Sequence, residues 1–155
     1  MWSLMNDEIA ALEALEAELV FESFDLNDAW RLGSAAVEII LEKGYSLSVQ
    51  IVLAGRTVFK AALNGVSQDT EPWLVGKAAA ALLFESSSMR VRLRKDADPS
   101  VIEGLDEDLY RTHGGSVPIR VRGRGIVGTI TVSGEPDVID HAVAIEALTS
   151  SLRRR

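Results

Sequence analysis

The side chains of this chain best suited to chemistry near neutral pH are its two histidines, His113 and His141. A neutral imidazole can accept a proton or ligate a metal ion, so both rings are candidate ligand contacts. His113 opens the string HGGS and His141 lies early in a predicted helix, which could bring both rings to one end of the fold. The alternative for His141 is a half-buried packing residue at the edge of an apolar stripe.

A second group of candidates surrounds the predicted start of a long helix. Ser67 and Asp69 precede this helix and Trp73 follows its first residues, where free backbone N–H groups attract anions. Helix capping would also explain Ser67 and Asp69, and Trp73 also suits a core or interface position. The full candidate set for ligand binding is His113, Gly114, Gly115, Ser116, Arg120, His141, Ser67, Asp69 and Trp73.

The residue types exclude several kinds of active site. The chain has no cysteine, which excludes disulfides, thiolate nucleophiles and cysteine-ligated metals. A catalytic zinc site would need both histidines and a carboxylate, and the HExxH spacing is missing, so we predict no metal site. The GxSxG motif of a serine nucleophile is missing as well, and we assign no catalytic residue.

The stretch from His113 to Gly134 carries the strongest signal for local structure. Apolar and polar residues alternate from Val117 to Arg122, which is typical of a strand with one buried face. A second run, rich in β-branched residues, follows the turn Gly123-Arg124-Gly125. We therefore predict a β-hairpin.

The same hairpin contains GRGIVG, which matches the dinucleotide-binding fingerprint GxGxxG letter for letter. In that fingerprint a helix opens at the third glycine and its N-terminus faces the pyrophosphate. Here Thr129 to Ser133 continues as a strand pattern, so we predict a turn and not a nucleotide site.

The remaining periodicities predict helices around two hairpins. Asn6 caps a first helix, an extended link covers 19–24, and a second helix runs from Asn27 or Asp28 to Gly44. The other predicted elements are strands at Tyr45–Leu53 and Thr57–Leu63, a helix from about Thr70 to 86–88 or beyond, a helix end or strand at Met89–Arg94, a connector at Lys95–Gly104, a short helix at Asp106–Arg111, and a last helix opened by Pro136. The apolar stripe of the last helix is Val138, Ala142, Ile145, Leu148 and Leu152. Part of the long helix is expected to face another subunit.

Together these elements predict one α+β domain, 1–155, with 1–22 as an acidic N-terminal helical extension.

Charge and hydropathy narrow the classes of partner. The net charge is −7, which argues against nucleic-acid binding, and no apolar run approaches 18 residues, which argues against a membrane partner. Without a signal-peptide pattern, we expect a cytoplasmic protein. Nine acids and one base up to Ile40 give that segment −8, so it could face the arginines of 90–95 and 120–124, although solvated faces are the default expectation.

Five strings are family signatures: FDLNDAWRLG, GVSQDTEPWLVGK, HGGSVPIRVRG, GIVGTITVSG and DHAVAIEAL. From Phe24 to Leu152 the chain resembles the small bacterial and fungal proteins called "heme-degrading domain", relatives of the haem-binding proteins GlcG and HbpS and of the PduO C-terminal domain. The resemblance implies a profilin-like fold, an antiparallel sheet flanked by helices, assembled into homo-oligomers of two or more subunits. One departure is Gly76, which precedes Lys77 where the family usually has arginine, so a contact of that arginine would be lost.

Three functions are consistent with these observations. The first is an oligomeric module that binds a small anionic ligand, with haem as the cofactor that the resemblance implies, in a pocket shared by the loops at His113 and Ser67. For haem, an axial histidine with Arg120 and Arg122 on the propionates would supply suitable groups. The second is a haem-degrading or metabolite-modifying enzyme with His113 as proton donor or acceptor. The third is an oligomeric scaffold for another protein. Binding ranks above catalysis because nucleophile, base and metal motifs are missing.

Overall fold

A computed structural model describes residues 2–154, with side chains from residue 4 onward. The elements in chain order are α1 (Trp2–Ala17), β1 (Val20–Phe21), α2 (Leu26–Lys43), β2 (Ser48–Leu53), β3 (Arg56–Ala62), α3 (Thr70–Phe84), α4 (Ser88–Ala97), a 3-10 turn (Pro99–Ile102), β4 (Ser116–Val121), β5 (Gly125–Ser133) and α5 (Asp137–Arg153). Within 2–154, no helix has the length and apolarity that crossing a bilayer would require.

The five strands form one sheet in the order β1-β4-β5-β2-β3. Both predicted hairpins are present, and β2 also pairs with β5 in an antiparallel manner. The only parallel pair among the described strands joins β1 to β4, with Val20 opposite Arg120. The predicted α+β class is confirmed. The extended link contributes β1 at an edge of the sheet.

The glycines of GRGIVG serve the hairpin, as predicted. β5 continues through Gly128 to Ser133, so no helix opens after the third glycine. A Cβ on Gly128 would lie 2.0 Å from the carbonyl oxygen of Val52 on β2, which explains why this strand position has no side chain.

The two faces of the sheet differ in chemistry. One face is aliphatic and packs under α2 and α5 in the main core, where Ile51, Ile119 and Ile130 are fully buried. The other carries hydroxyl groups such as those of Ser116 and Thr131, and α3 packs against it with alanines. Small side chains on both sides allow α3 to approach the strands closely.

Several local predictions need correction. The first helix begins at Trp2, so Asn6 lies inside it and is not its cap. The cap of α2 is Asp25, which forms a reciprocal capping box with Asp28, while Gly44 ends the helix in the left-handed conformation as predicted. Segment 89–94 is helical, within α4. Segment 106–111 is a hydrogen-bonded turn and not a helix.

The predicted apolar stripe of α5 is confirmed at Leu148, which is buried, and at Ile145 and Leu152, which pack against the main core, but it is wrong at its start. Val138 is exposed, and so is Ala142, whereas Asp140 and His141 are buried. The buried side chains of α5 are Asp140, His141, Val143, Ala144, Ala147 and Leu148. The prediction assumed that only apolar residues face inward, but a polar partner allows Asp140 to do so.

The acidic N-terminal segment faces an arginine in the same chain. The side chain of Glu16 is only 3% exposed and accepts hydrogen bonds from the Ser87 backbone N–H (3.0 Å) and hydroxyl (2.7 Å). Arg90 lies 3.3 Å from the same carboxylate. At Glu16, therefore, the default expectation of a solvated face is wrong, and this carboxylate anchors α1 to the start of α4.

Candidate functional site

A cleft of about 330 Å³ opens where α3 and α5 begin and β5 ends. Three loops and two helix starts meet there because α3 and α5 pack against opposite faces of the sheet. The lining residues are Asp69, Thr70, Trp73, Lys77, His113, Ser133, Gly134, Glu135, Asp137 and Asp140.

The floor of the cleft is a buried ion pair between Lys77 and Asp140. The two side chains are 3% and 1% exposed, and Lys77 Nζ lies 2.9 Å from Asp140 Oδ2. Lys77 also donates to the Val132 carbonyl and the Ser133 hydroxyl, both at 3.2 Å. All three ammonium hydrogens therefore have an acceptor, which a buried charge requires.

Asp140 uses its second oxygen to hold the loop at the end of β5. Its Oδ1 accepts the Glu135 backbone N–H at 3.0 Å, and Glu135 Oε2 in turn accepts the Ser46 N–H at 2.9 Å. Burial raises the pKa of Asp140 to about 6, against the opposing effect of Lys77. Burial also lowers the pKa of Lys77, which Asp140 partly offsets.

His113 forms the rim of the cleft. Its side chain is 47% exposed, and its ring meets Trp73 edge-on with 5.2 Å between ring centroids. Burial lowers the pKa of His113 and nearby Lys95 lowers it further, against the opposing effect of Asp137, and the lowered pKa favours the neutral form of the ring. The lone pair of a neutral imidazole is available to a proton or a metal.

Asp137 fixes the backbone beneath His113. Its Oδ2 accepts the Gly114 N–H at 2.9 Å and lies 3.9 Å from His113 Nδ1, and its Oδ1 binds Arg92. Burial alone would raise the pKa of Asp137, but the hydrogen bonds from Gly114 and Arg92 outweigh it and lower the pKa. His113 is therefore held at the start of α5 by a carboxylate that stays ionised.

Trp73 also contacts an arginine from a distant part of the chain. The Arg111 guanidinium lies 4.4 Å from the centre of the Trp73 ring, in a cation–π contact. Arg111 donates its backbone N–H to the Gly76 carbonyl at 3.0 Å, and a Cβ on Gly76 would lie 2.0 Å from Arg111 Cγ. The glycine thus makes room for the Arg111 side chain.

Comparison with known proteins places the chain in a family. The family model described as "Haem degrading protein HbpS-like" matches residues 24–149. The chain belongs to this HbpS-like family. A UPF0303 protein of Streptomyces coelicolor is 41% identical to it over 143 residues, which cover 90% of each chain.

Several solved structures have the same fold as this HbpS-like chain. The crystal structure of Ybr137w protein matches with a TM-score of 0.87 at 26% identity, covering 94% of this chain and 88% of that chain. The crystal structure of the PduOC:Heme complex matches with a TM-score of 0.71 at 20% identity, covering 83% of this chain and 94% of that chain. These neighbours confirm the predicted profilin-like fold. The family match leaves out α1, which ends before residue 24.

Three predicted site residues lie in the cleft of this HbpS-like chain: Asp69, Trp73 and His113. Ser67 shapes the neighbouring loop, because its Oγ accepts the Asp69 N–H at 3.1 Å. Asp69 occupies the position before α3 but its side chain makes no capping hydrogen bond. The prediction that the Asp69 side chain caps α3 is therefore wrong.

The three residues after His113 are buried parts of the fold. A Cβ on Gly114 would lie 2.4 Å from Met89 Cε, and one on Gly115 would lie 2.3 Å from the Val132 carbonyl oxygen. Ser116 is fully buried and exchanges hydrogen bonds with Ser88. Close packing beneath His113 therefore accounts for the small residues at these three positions.

The remaining candidates lie elsewhere. Arg120 donates to the Glu85 carbonyl at 2.8 Å, and Arg122 pairs with Glu22 at 2.9 Å. His141 lines a different cavity, of about 760 Å³, between α1 and α5, and neither of its ring nitrogens has a hydrogen-bond partner among residues 4–154. The two histidines therefore do not share a cavity.

Sequence reasoning missed the floor of the cleft. The sequence analysis assigns no ligand contact to Lys77 or Asp140, the two residues of this ion pair. The available signal was a single lysine within the otherwise apolar string LVGKAAAALLF, since a lysine there must reach a partner or the surface.

Proposed function

We propose that this protein binds a haem-type tetrapyrrole at the cleft, with His113 as the side chain that contacts the iron. The observation that carries the proposal is the half-exposed, neutral imidazole of His113 at the mouth of a cavity with an aromatic wall, Trp73. Membership of the HbpS-like family supports the choice of ligand. When bound, the haem iron would supply an open coordination site to an imidazole nitrogen.

The residues at the rim fit the group by their chemistry. A neutral imidazole is a common axial ligand of haem iron, and an indole edge packs well against a flat conjugated ring. The cavity is at the small end of the range for ligand pockets, so a tetrapyrrole would extend beyond it. Asp137 holds His113 in position from below, because it accepts the backbone N–H of Gly114, the residue that follows His113.

The interior of the cleft does not suit an anion. Asp69, Glu135, Asp137 and Asp140 all line it, and its one lysine is fully engaged by Asp140 and β5. The predicted anionic ligand is therefore compatible with the rim alone, where a flat apolar body could sit with its charged groups pointing outward.

Titration with haemin tests the proposal. The wild-type protein is expected to shift and sharpen the Soret absorption band with saturation at one haemin per chain, and His113→Ala to weaken binding at least about tenfold. His141→Ala is the matched control, because it removes the same side chain from a separate cavity and should leave haemin affinity unchanged. Equal affinity in wild type and His113→Ala, or no spectral change at all, would remove the proposal.

We propose further that the chain assembles into a homo-oligomer. The side of α3 away from the sheet exposes Val75, Leu82 and Leu83, and an apolar surface of this kind favours association. Light scattering coupled to size exclusion should give a mass of at least two chains, and Leu82→Glu should reduce it. A monomeric wild type would contradict this.

Cytoplasmic localisation, haem degradation and a scaffold role remain predictions.

A further inference from the structure

The cleft poses a charge problem for any ligand that carries carboxylates. Four carboxylates line the cavity, while Lys77 is surrounded by its own acceptors and Arg92 is paired with Asp137 and Asp96. A carboxylate on the ligand would therefore find no free cation inside the cleft and would be repelled by its walls. The cation must come from outside the cavity lining.

Arg111 is one such cation, because it contacts Trp73, the ring that His113 also contacts. It has no carboxylate within ion-pair distance among residues 4–154, and its Nε is buried without a hydrogen-bond partner. Its guanidinium is held against the Trp73 ring, and its backbone is fixed by the Gly76 carbonyl. A stacked guanidinium keeps its N–H groups in one plane, which suits two-point binding of a carboxylate.

The second cation is Lys95, which contacts Thr112, the residue that precedes His113 in the chain. Its Nζ donates to the Thr112 hydroxyl at 3.0 Å, and no ion pair involves it among residues 4–154. Its charge reaches the His113 ring, whose pKa it helps to lower. One hydroxyl acceptor leaves two ammonium hydrogens of Lys95 for a ligand.

We infer that Arg111 and Lys95 recognise the carboxylates of the ligand bound at His113, and so select a tetrapyrrole with free acid groups over an uncharged one. The inference rests on the proposed function. It replaces Arg120 and Arg122, which the fold directs to Glu85 and Glu22. It also gives a role to the unusual Gly76, which leaves space for the Arg111 side chain across α3.

Three probes separate the contribution of the carboxylates from that of iron. Haemin has iron and two acids, protoporphyrin IX has the acids without iron, and haemin dimethyl ester has iron without the acids. Affinities would be measured for all three in one buffer with the same proportion of dimethyl sulfoxide. The wild type is expected to bind haemin about tenfold or more tightly than its dimethyl ester.

The variants are Arg111→Gln, Lys95→Gln and, as the matched control, Arg124→Gln, which removes one positive charge from the exposed turn of the β4–β5 hairpin. Arg111→Gln should reduce the preference for haemin over the ester by about fivefold and weaken protoporphyrin IX by the same factor. Lys95→Gln should have a smaller effect in the same direction, and Arg124→Gln should have none. Arg111→Lys, which keeps the charge but loses the planar stacking, should lie between wild type and Arg111→Gln.

Gly76→Ala tests the position of Arg111 without changing charge. Because its Cβ would meet Arg111 Cγ, this variant should lower the preference for the acid form, provided that its circular dichroism spectrum matches that of the wild type. If haemin binds through His113 but the preference is equal in wild type, Arg111→Gln and Lys95→Gln, the inference is overturned and the proposed function survives. If haemin does not bind at all, the proposed function fails first.

Discussion

The two histidines of this chain occupy environments that differ in exposure, partners and surroundings. His113 is 47% exposed at the rim of a polar cleft, between Trp73 and the carboxylate of Asp137. His141 is 8% exposed beside a groove between α1 and α5, and both of its ring nitrogens lack hydrogen-bond partners among residues 4–154. Burial lowers the pKa of each ring. Only His113, however, offers a neutral ring to a ligand without first opening the fold.

The comparison extends to what lies beneath each ring. The cleft near His113 rests on buried polar groups with nearly complete pairing, as in the Lys77–Asp140 floor. The groove near His141 has the aliphatic residues Leu12, Leu15 and Ile145 in its lining, beside polar residues of α5. Hydrogen bonds hold the polar groups of the cleft in fixed positions. In the groove, by contrast, neighbouring residues among 4–154 offer no hydrogen bond to the His141 ring. Three experiments test this difference.

The largest effect is expected from breaking the cleft floor. Lys77→Met should lower the free energy of unfolding by about 3–5 kcal/mol at pH 7, because it leaves the buried Asp140 carboxylate without its partner. Chemical denaturation followed by circular dichroism would measure the change.

The exposed Lys60 provides the control for Lys77. Its ion pair with Glu71 is half exposed on both sides, so Lys60→Met should change the free energy of unfolding by less than about 1 kcal/mol. A similar cost for the two lysine substitutions would show that the cleft floor is not specially dependent on its ion pair.

The next effect concerns pH and Asp140. Its pKa in the folded protein is about 6, above the ordinary value of 3.8, so the folded state takes up the proton first as pH falls. The free energy of unfolding of wild type minus that of Asp140→Asn should therefore rise as pH falls from above 6 to about 4, by about 2–3 kcal/mol. Denaturation of both proteins at matched pH values would measure this, and a difference that stays constant or falls would contradict the raised pKa.

The smallest effect contrasts the two rings directly. His141→Leu should stabilise the protein by about 1 kcal/mol, because it replaces a buried ring lacking hydrogen bonds with an aliphatic side chain of similar size. His113→Leu, at a half-exposed position, should remain within about 0.5 kcal/mol of wild type. Loss of stability in His141→Leu would indicate that the ring has a partner in solution.

Local patterns in the sequence were sufficient for much of the secondary structure. Alternation over 117–122 predicted β4, the periodicity after Asn27 or Asp28 predicted α2, and Gly44 predicted the end of that helix. These features depend on neighbours within a few residues along the chain. The first turns of α5 were mispredicted because the periodicity rule counts only apolar residues as buried, whereas Asp140 is buried with a lysine partner 63 positions away.

The candidate site was predicted only at its rim. His113, Trp73 and Asp69 were found because a histidine after a turn and polar residues before a helix are visible locally. Lys77, Asp137 and Asp140 became site residues only where α3, α5 and β5 converge. Arg111 packs over Gly76 through a contact across the fold that no spacing rule describes.

The sequence by itself determined the α+β class, the hairpin that contains GRGIVG, the absence of cysteine chemistry and the resemblance to the HbpS-like family. All of these depend on residue type and short-range order. The tertiary structure alone decided which histidine faces a cleft, which carboxylates are paired and which arginine lies against Trp73. Burial and charge pairing depend on residues brought together from distant positions, and a buried polar group is stable only where such a partner meets it.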